Sequence, residues 1–114
     1  MNHVLPTKQI MDDETFDPKK VDIRIKGMVM KLREVGFTTF MSCQGSITGI
    51  PQHAYYLPRV GLLLHHNEIN KVKDFLKENR LKKVQILCRT SKEYASVTNG
   101  EYIAIVGEAL LDYE

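Results

Sequence analysis

The sequence predicts an α+β domain, with two helices packed on one face of a mostly antiparallel sheet of about four to five strands. Two stretches have apolar residues at helical spacing, and several shorter ones have the apolar character of strands. Their order along the chain is helix, strand, strand, helix, strand, hairpin. A chain of 114 residues can bury one hydrophobic core, so we expect residues 1–114 to form a single domain.

The first predicted helix covers residues 18–35. Asp17 is suited to cap its first turn, and Pro18 fits the first helical position because its missing N–H group is not needed there. Gly36 follows the helix, where a left-handed cap favours glycine. The apolar residues on one face of this helix are Val21, Ile25, Met28, Leu32 and Val35.

Three segments next to the helices have the pattern of strands. Residues 37–41 are aromatic and β-branched, and residues 59–64 are nearly continuously apolar, as in a central strand covered on both faces. Residues 83–89 alternate, which assigns Cys88 to the core together with Val84 and Ile86.

The second helix and a hairpin complete the predicted sheet. The helix starts near Asn67, a candidate cap, and ends at Asn79 or Arg80. Asn99-Gly100 is typical of a two-residue hairpin turn, so we expect a hairpin over residues 94–106. In residues 1–16, Val4-Leu5 or Gln9-Ile10-Met11 could add an edge strand, and residues 107–114 could form a last helical turn. The predicted core consists of Val21, Ile25, Met28, Leu32, Leu62, Leu64, Phe75, Leu76, Val84 and Ile86.

Composition and charge exclude several classes of protein. The net charge of +2 and the lack of a basic run argue against a surface that tracks nucleic acid. The longest apolar run, Val60–Leu64, is too short to span a bilayer, and the N-terminus lacks a secretion pattern. Cys43 and Cys88 lack the spacing of a zinc or redox motif. We therefore expect a cytoplasmic protein with reduced thiols and no membrane contact.

A polar cluster directly after residues 37–41 is the candidate functional site. Backbone N–H groups, hydroxyls and a thiol at the end of a strand can hold a polar ligand. In the loop that follows, tyrosine rings could stack on a base and an arginine could pair with a phosphate. The candidate ligand-binding residues are Ser42, Cys43, Gln44, Gly45, Ser46, His53, Tyr55, Tyr56 and Arg59.

Each of these features also has a simpler interpretation. Cys43 could be a nucleophile with His53 as its base, but a cysteine at a strand end is more often a small buried hydrophobe. The two tyrosines could simply alternate between core and solvent. His65 and His66 would face opposite ways on a strand, so we expect one imidazole in solvent and no metal site. We assign no catalytic residue.

The segment Thr38-Thr39-Phe40-Met41-Ser42-Cys43-Gln44-Gly45 resembles a motif of small bacteriophage proteins. In those proteins a helix ending in Gly-Phe or Gly-Ile leads into Thr-x-x-Ser-Cys-x-Gly-His, followed by a strand similar to residues 56–64. More distantly, the segment resembles the Ser-Ser-Cys-Ser-Gly-Arg turn of the wybutosine-synthesis methyltransferase family. The likeness covers roughly residues 28–64, and Ser46 stands where both groups have a basic residue.

These resemblances lead to one leading hypothesis and two alternatives. Several small phage proteins sequester nucleotide immune signals, which implies a non-enzymatic protein that binds a nucleotide-like ligand, such as a cyclic-nucleotide immune signal, without a cofactor. A small chain encloses a ligand more easily at a subunit interface, so we expect a homo-oligomer in the cytoplasm, the host's if the chain is phage-encoded. The methyltransferase resemblance implies S-adenosylmethionine and a tRNA base. The alternatives are thus an RNA- or nucleotide-modifying enzyme that uses Cys43 or His53, and a structural or interaction module.

Overall fold

The computed structural model describes residues 7–8, 17–46, 56–90, 100–111 and 113. Within them the protein has the predicted α+β fold, which is therefore confirmed. The elements in chain order are strand β1 (Thr7–Lys8), helix α1 (Lys26–Glu34), strands β2 (Thr39–Cys43) and β3 (Arg59–Leu62), helix α2 (Ile69–Glu78), and strands β4 (Gln85–Thr90) and β5 (Glu101–Val106).

The strands form one antiparallel sheet in the order β1-β2-β3-β5-β4. The central strand is β3, and Val60, Gly61 and Leu62 are all buried, as expected for a strand covered on both faces. Gly61 lies under the ring of Phe40, because a Cβ atom added there would stand 2.6 Å from that ring. An N-terminal edge strand, β1, pairs with β2, but it lies at Thr7–Lys8, between the two segments named for it in the sequence.

Both helices cover the same face of the sheet, which we call the helix face. Alternate residues of β3 and β5 join the apolar stripes of α1 and α2 in one cluster, which is the core. Leu64, Val84 and Ile86 are only partly buried and pack against this cluster. The buried residues of the cluster are Val21, Ile25, Met28, Val29, Leu32, Val60, Leu62, Val72, Phe75, Leu76, Ile103, Ile105 and Leu110.

The first helix starts later than the sequence predicted. Asp17 does accept a hydrogen bond from the Lys19 N–H (3.0 Å), but the turn that it caps is a short 3₁₀ turn, Pro18–Lys20. The chain is extended at Val21, and α1 begins at Lys26. The intervening residues make hydrogen bonds to the turn after β2 instead of continuing a helix, and such side-chain and backbone bonds compete with helical ones.

The predicted glycine cap ends α1. Gly36 has φ +104°, its N–H donates to the Arg33 carbonyl (3.1 Å), and the Phe37 N–H donates to the Leu32 carbonyl (3.0 Å). This pair of bonds is the Schellman motif. Val35, predicted in the apolar stripe, is 49% exposed because the helix has already ended at Glu34.

The strand boundaries differ from the predicted ones by a few residues. The β2 strand runs two residues further than expected, so Ser42 and Cys43 belong to the strand and not to the turn. The β3 strand ends at Leu62, and a 3₁₀ turn, His66–Glu68, precedes α2 instead of a cap at Asn67. A 3₁₀ turn, Glu108–Leu110, follows β5 as expected for the last helical turn.

Cys88 is exposed, so its assignment to the core was wrong. It pairs with Ile103 in the sheet and therefore shares the helix face with it, as the alternation indicated. The difference arises because β4 is the last strand in the sheet order, and its final residues, 88–90, are all exposed.

The returning strand of the hairpin predicted over residues 94–106 is present as β5, Glu101–Val106. Residues 103–106 of this strand pair with β3 on one side and with β4 on the other. Residues 91–99, including Asn99, lie outside the described part of the chain.

Candidate functional site

Four strand ends meet at one end of the sheet, which we call the turn end. Cys43 pairs with Arg59, Arg59 pairs with Val106, and Val106 pairs with Gln85. Directly paired residues share a face, and these four lie on the face away from the helices, the far face. The candidate residues of β2 and β3 are therefore neighbours of β4 and β5 at this end.

The turn after β2 contacts the segment that leads into β3. The Ser46 N–H donates to the Tyr56 carbonyl at 2.9 Å. Gly45 has φ +77°, and a Cβ atom there would stand 2.6 Å from the Tyr56 carbonyl oxygen and 2.8 Å from the Pro58 nitrogen. Only glycine fits both the backbone conformation and the close approach. In the described part of the chain, the turn at residues 42–46 thus lies against residues 56–58.

Gln44 fastens this turn to the segment before α1. Its backbone N–H donates to Oδ2 of Asp22 (3.0 Å), and its side-chain Oε1 accepts the Arg24 N–H (3.2 Å). Gln44 is almost completely buried. The backbone N–H and the side-chain oxygen of Gln44 therefore hold the turn against the segment before α1. These bonds explain why residues 21–25 are not helical.

Ser42 and Cys43 are fully buried, as is Thr39 at the start of the same strand. The Gly45 N–H is directed at the Cys43 Sγ atom at 3.4 Å. Reactive cysteines are commonly found in partially exposed, electropositive surroundings. The burial of this thiol favours the passive role that the sequence left as one of two interpretations.

Tyr56 and Arg59 are the candidate residues with surface at the turn end. Tyr56 is 67% exposed, although large aromatic side chains are usually well buried. Arg59 is half-buried beside Cys43, and Ser46 is half-buried as well. His53 and Tyr55, the remaining candidates, lie outside the described residues.

A surface cavity of about 540 Å³ opens at the turn end, and Val106, the strand partner of Arg59, forms part of its wall. Its volume falls within the range of about 300–1,000 Å³ that is typical of small-molecule sites. Leu57, the neighbour of Tyr56, contributes to its wall, as do Lys82 and Lys83 from the segment before β4. Glu108 is the acidic residue of this wall. The two lysines of the wall, at the end of the sheet where Arg59 lies, make this end suitable for an anion.

Lys82 and Lys83 of the cavity wall are not among the residues predicted for the site. Arg80 and Lys83 have φ values of 56° and 60°, a left-handed conformation that non-glycine residues seldom adopt. Such strain is commonly found at functional sites. No sequence signal marks it, because Leu81-Lys82-Lys83 has the composition of any exposed loop.

A second polar cluster occupies the opposite end of the sheet. The Nδ1 atoms of His65 and His66 donate to different oxygens of Glu101, at 3.0 Å and 2.8 Å. The His66 backbone N–H also donates to this carboxylate at 3.2 Å. The prediction that the imidazoles face opposite ways was wrong, because both residues follow β3 and are not part of it.

The histidine contacts have an electrostatic consequence at Glu101. Hydrogen bonds from His66, and then from His65, hold the pKa of this carboxyl group below its usual value. Both imidazoles therefore contact the same carboxylate. In the described segments no group of three or more histidine, cysteine, aspartate or glutamate side chains is arranged to hold a metal ion.

Comparisons with known proteins gave no match to any protein-family model, curated protein or solved structure. The resemblances to small phage proteins and to the methyltransferase family therefore stay predictions. Neither helix of the described segments has the length and apolar character needed to cross a membrane.

Proposed function

We propose that the chain is a non-enzymatic binding protein for a small anionic, nucleotide-like ligand, held at the turn end of the sheet. The observation that carries the proposal is the position of the cavity with Lys82 and Lys83. It opens at the same end as Tyr56 and Arg59, the residues that the sequence analysis selected for stacking and charge. Cation and aromatic ring are the two features that recognise a phosphate and a base.

The candidate residues divide into two roles under this proposal. Arg59, Lys82 and Lys83 attract and pair with phosphate groups, and the exposed ring of Tyr56 stacks on the base. Gln44 and Gly45 hold the turn against residues 56–58, so that this surface has a defined shape. The hydroxyl of Ser42 and the thiol of Cys43 contribute by packing.

Calorimetric titration of ATP and of a cyclic dinucleotide into the wild type tests the proposal. Replacing Arg59 or Lys83 by alanine removes a charge-assisted contact worth roughly 1.5–3 kcal/mol, or about tenfold to a hundredfold in affinity. Lys73→Ala is the matched control, because this exposed lysine of α2 carries the same charge away from the cavity wall.

Glu108, in the cavity wall, tests whether the site prefers a negatively charged ligand. Glu108 repels an anionic ligand, so Glu108→Gln should raise the affinity for ATP. Binding of neither probe by the wild type would contradict the proposal. Equal losses in Lys83→Ala and Lys73→Ala would show that only the net charge matters.

Sequestration of a cyclic-nucleotide immune signal by a phage-encoded protein is the biological form of this proposal. It predicts that ligand released from the denatured protein is chemically intact. The burial of Cys43 supports binding over an enzyme that uses this thiol. A cleaved or methylated product in the same mass-spectrometric measurement would favour the enzyme alternative instead.

A further inference from the structure

Strand β4 lies at one edge of the sheet and has a described neighbour, β5, on one side only. All six residues, Gln85–Thr90, pair with β5 in an unbroken register. Edge strands usually carry charged side chains, a proline or a bulge that prevent pairing with another chain. The β4 sequence, Gln-Ile-Leu-Cys-Arg-Thr, has one charged residue, Arg89, and no proline or bulge, so most of its outer edge is suited to a further strand.

The side chains of β4 are matched to a second copy of the same strand. Gln85, Leu87 and Arg89 lie on the far face, since their partners in β5 alternate with the core residues. When two copies of β4 pair in antiparallel fashion about a two-fold axis, directly opposed residues lie on the same face of the sheet. The axis must therefore pass through one residue, which stands opposite the same residue of the second copy. Centring on Leu87 places two half-buried leucines opposite each other and sets Gln85 opposite Arg89 of the second copy.

We propose that two copies of the chain pair through β4 in this register, and that Arg89 of each copy completes the anion site of the other. Gln85 forms part of the wall of the cavity that contains Lys82 and Lys83. Within one copy, four residues of extended strand, about 13 Å, separate Arg89 from Gln85. Across the two-fold pair the two residues stand only about 5 Å apart.

The composite site has a chemical consequence for its ligand. In this arrangement each cavity gains the guanidinium group of a partner residue on the far face, in addition to Lys82 and Lys83 of its own wall. Clustered cations of this kind fit a ligand with more than one phosphate group, which is the class that includes nucleoside triphosphates and cyclic dinucleotides. This inference deepens the proposed function and rests on it for the ligand, but the dimer can be measured independently.

Sedimentation equilibrium and oxidative cross-linking test the dimer. We expect the wild type at twice the chain mass of 13.1 kDa. Leu87→Lys places like charges at the two-fold axis and should give a monomer, whereas Met30→Lys, at an exposed position of α1, should remain a dimer. Leu87→Cys combined with Cys88→Ser should form a disulfide between copies, because directly opposed strand residues have the required spacing.

Exchange of subunits tests the composite site. Lys83→Ala and Arg89→Ala should each weaken ATP binding about tenfold to a hundredfold as pure proteins. After mixing and exchange, the heterodimer has one site with both residues intact, so a fraction of sites with wild-type affinity should reappear. A site contained in one chain predicts that Arg89→Ala binds normally.

The outcomes separate this inference from the proposed function. A monomeric wild type that binds ATP or the cyclic dinucleotide overturns the inference and leaves the proposed function in place. A cross-linked dimer that binds neither probe overturns the composite site and the proposed function together. A disulfide that forms faster through the native Cys88 than through Leu87→Cys overturns the register.

Discussion

Replacing Gly45 by alanine probes the contact on which the turn end depends. This glycine has φ +77° and passes directly beside the backbone of residues 56–58. An added Cβ would stand 2.6 Å from the Tyr56 carbonyl oxygen, 2.8 Å from the Pro58 nitrogen and 2.9 Å from the Leu57 carbonyl carbon. All three neighbours are backbone atoms, so no side chain can rotate away to make room.

Two costs add in this variant. A left-handed conformation costs a non-glycine residue about 1–2 kcal/mol, and overpacking a closely packed site typically costs about 1–3 kcal/mol. We therefore expect Gly45→Ala to lower the free energy of unfolding by about 2–5 kcal/mol. Since small domains are stable by about 5–15 kcal/mol, this is a large fraction of the total.

Gly36 supplies the matched control. It also has a positive φ, +104°, but a Cβ atom there would meet nothing within 4 Å. Gly36→Ala should therefore cost only the conformational part, about 1–2 kcal/mol. Urea denaturation of both variants measures the difference, provided that the dependence on denaturant is unchanged. Equal losses in the two variants would refute the steric part of the reasoning.

Further expectations follow for the core, the second polar cluster and the thiol. Leu32→Ala should cost about 2–5 kcal/mol, because Leu32 is fully buried, and Leu64→Ala should cost less, because Leu64 is only half-buried; an equal loss in urea denaturation would contradict the assignment. The lowered pKa of Glu101 means that its stabilising contribution is present above pH 4.5 and is lost as the pH falls through its folded-state pKa. Acid titration of the wild type should therefore show a loss of stability below pH 4.5, and this loss should be weaker in Glu101→Gln. If the stability profiles of the two proteins superimpose, the hydrogen bonds from His66 and His65 do not hold the carboxylate charged. Cys43→Ser should leave the affinity for ATP within about twofold, since a thiol that serves packing is not a ligand contact; loss of binding in a variant that remains folded would instead place Cys43 in the ligand site.

The fold class could be predicted because local and long-range signals agree. The apolar stripes of both helices and the continuous apolar run of β3 each indicate the burial that the structure has. The start of α1 could not be predicted, because Asp22 and Arg24 bind Gln44, which lies about twenty positions further along the chain. A sequence window does not contain such a contact.

The candidate site was predictable in part. Adjacent strands joined by one loop place residues 42–46 beside residues 56–59, and this proximity follows from the order of elements alone. The contribution of Lys82 and Lys83 depends on β5, which lies between β3 and β4 in the sheet. The prediction of a hairpin at Asn99-Gly100 paired β5 with the residues before Asn99. It therefore did not place β4 beside β5 at the turn end.

Burial decides which polar residues of the turn can meet a ligand. Polar groups inside a protein need hydrogen-bond partners, and Gln44 finds them in Asp22 and Arg24. A ligand that took these bonds would have to break the contact between the turn and the segment before α1. In the proposed site, the exposed ring of Tyr56 and the exposed lysines of the cavity wall are the groups that a ligand would contact. Under the proposed function, the polar cluster therefore shapes the surface, and the binding energy would come from side chains around it.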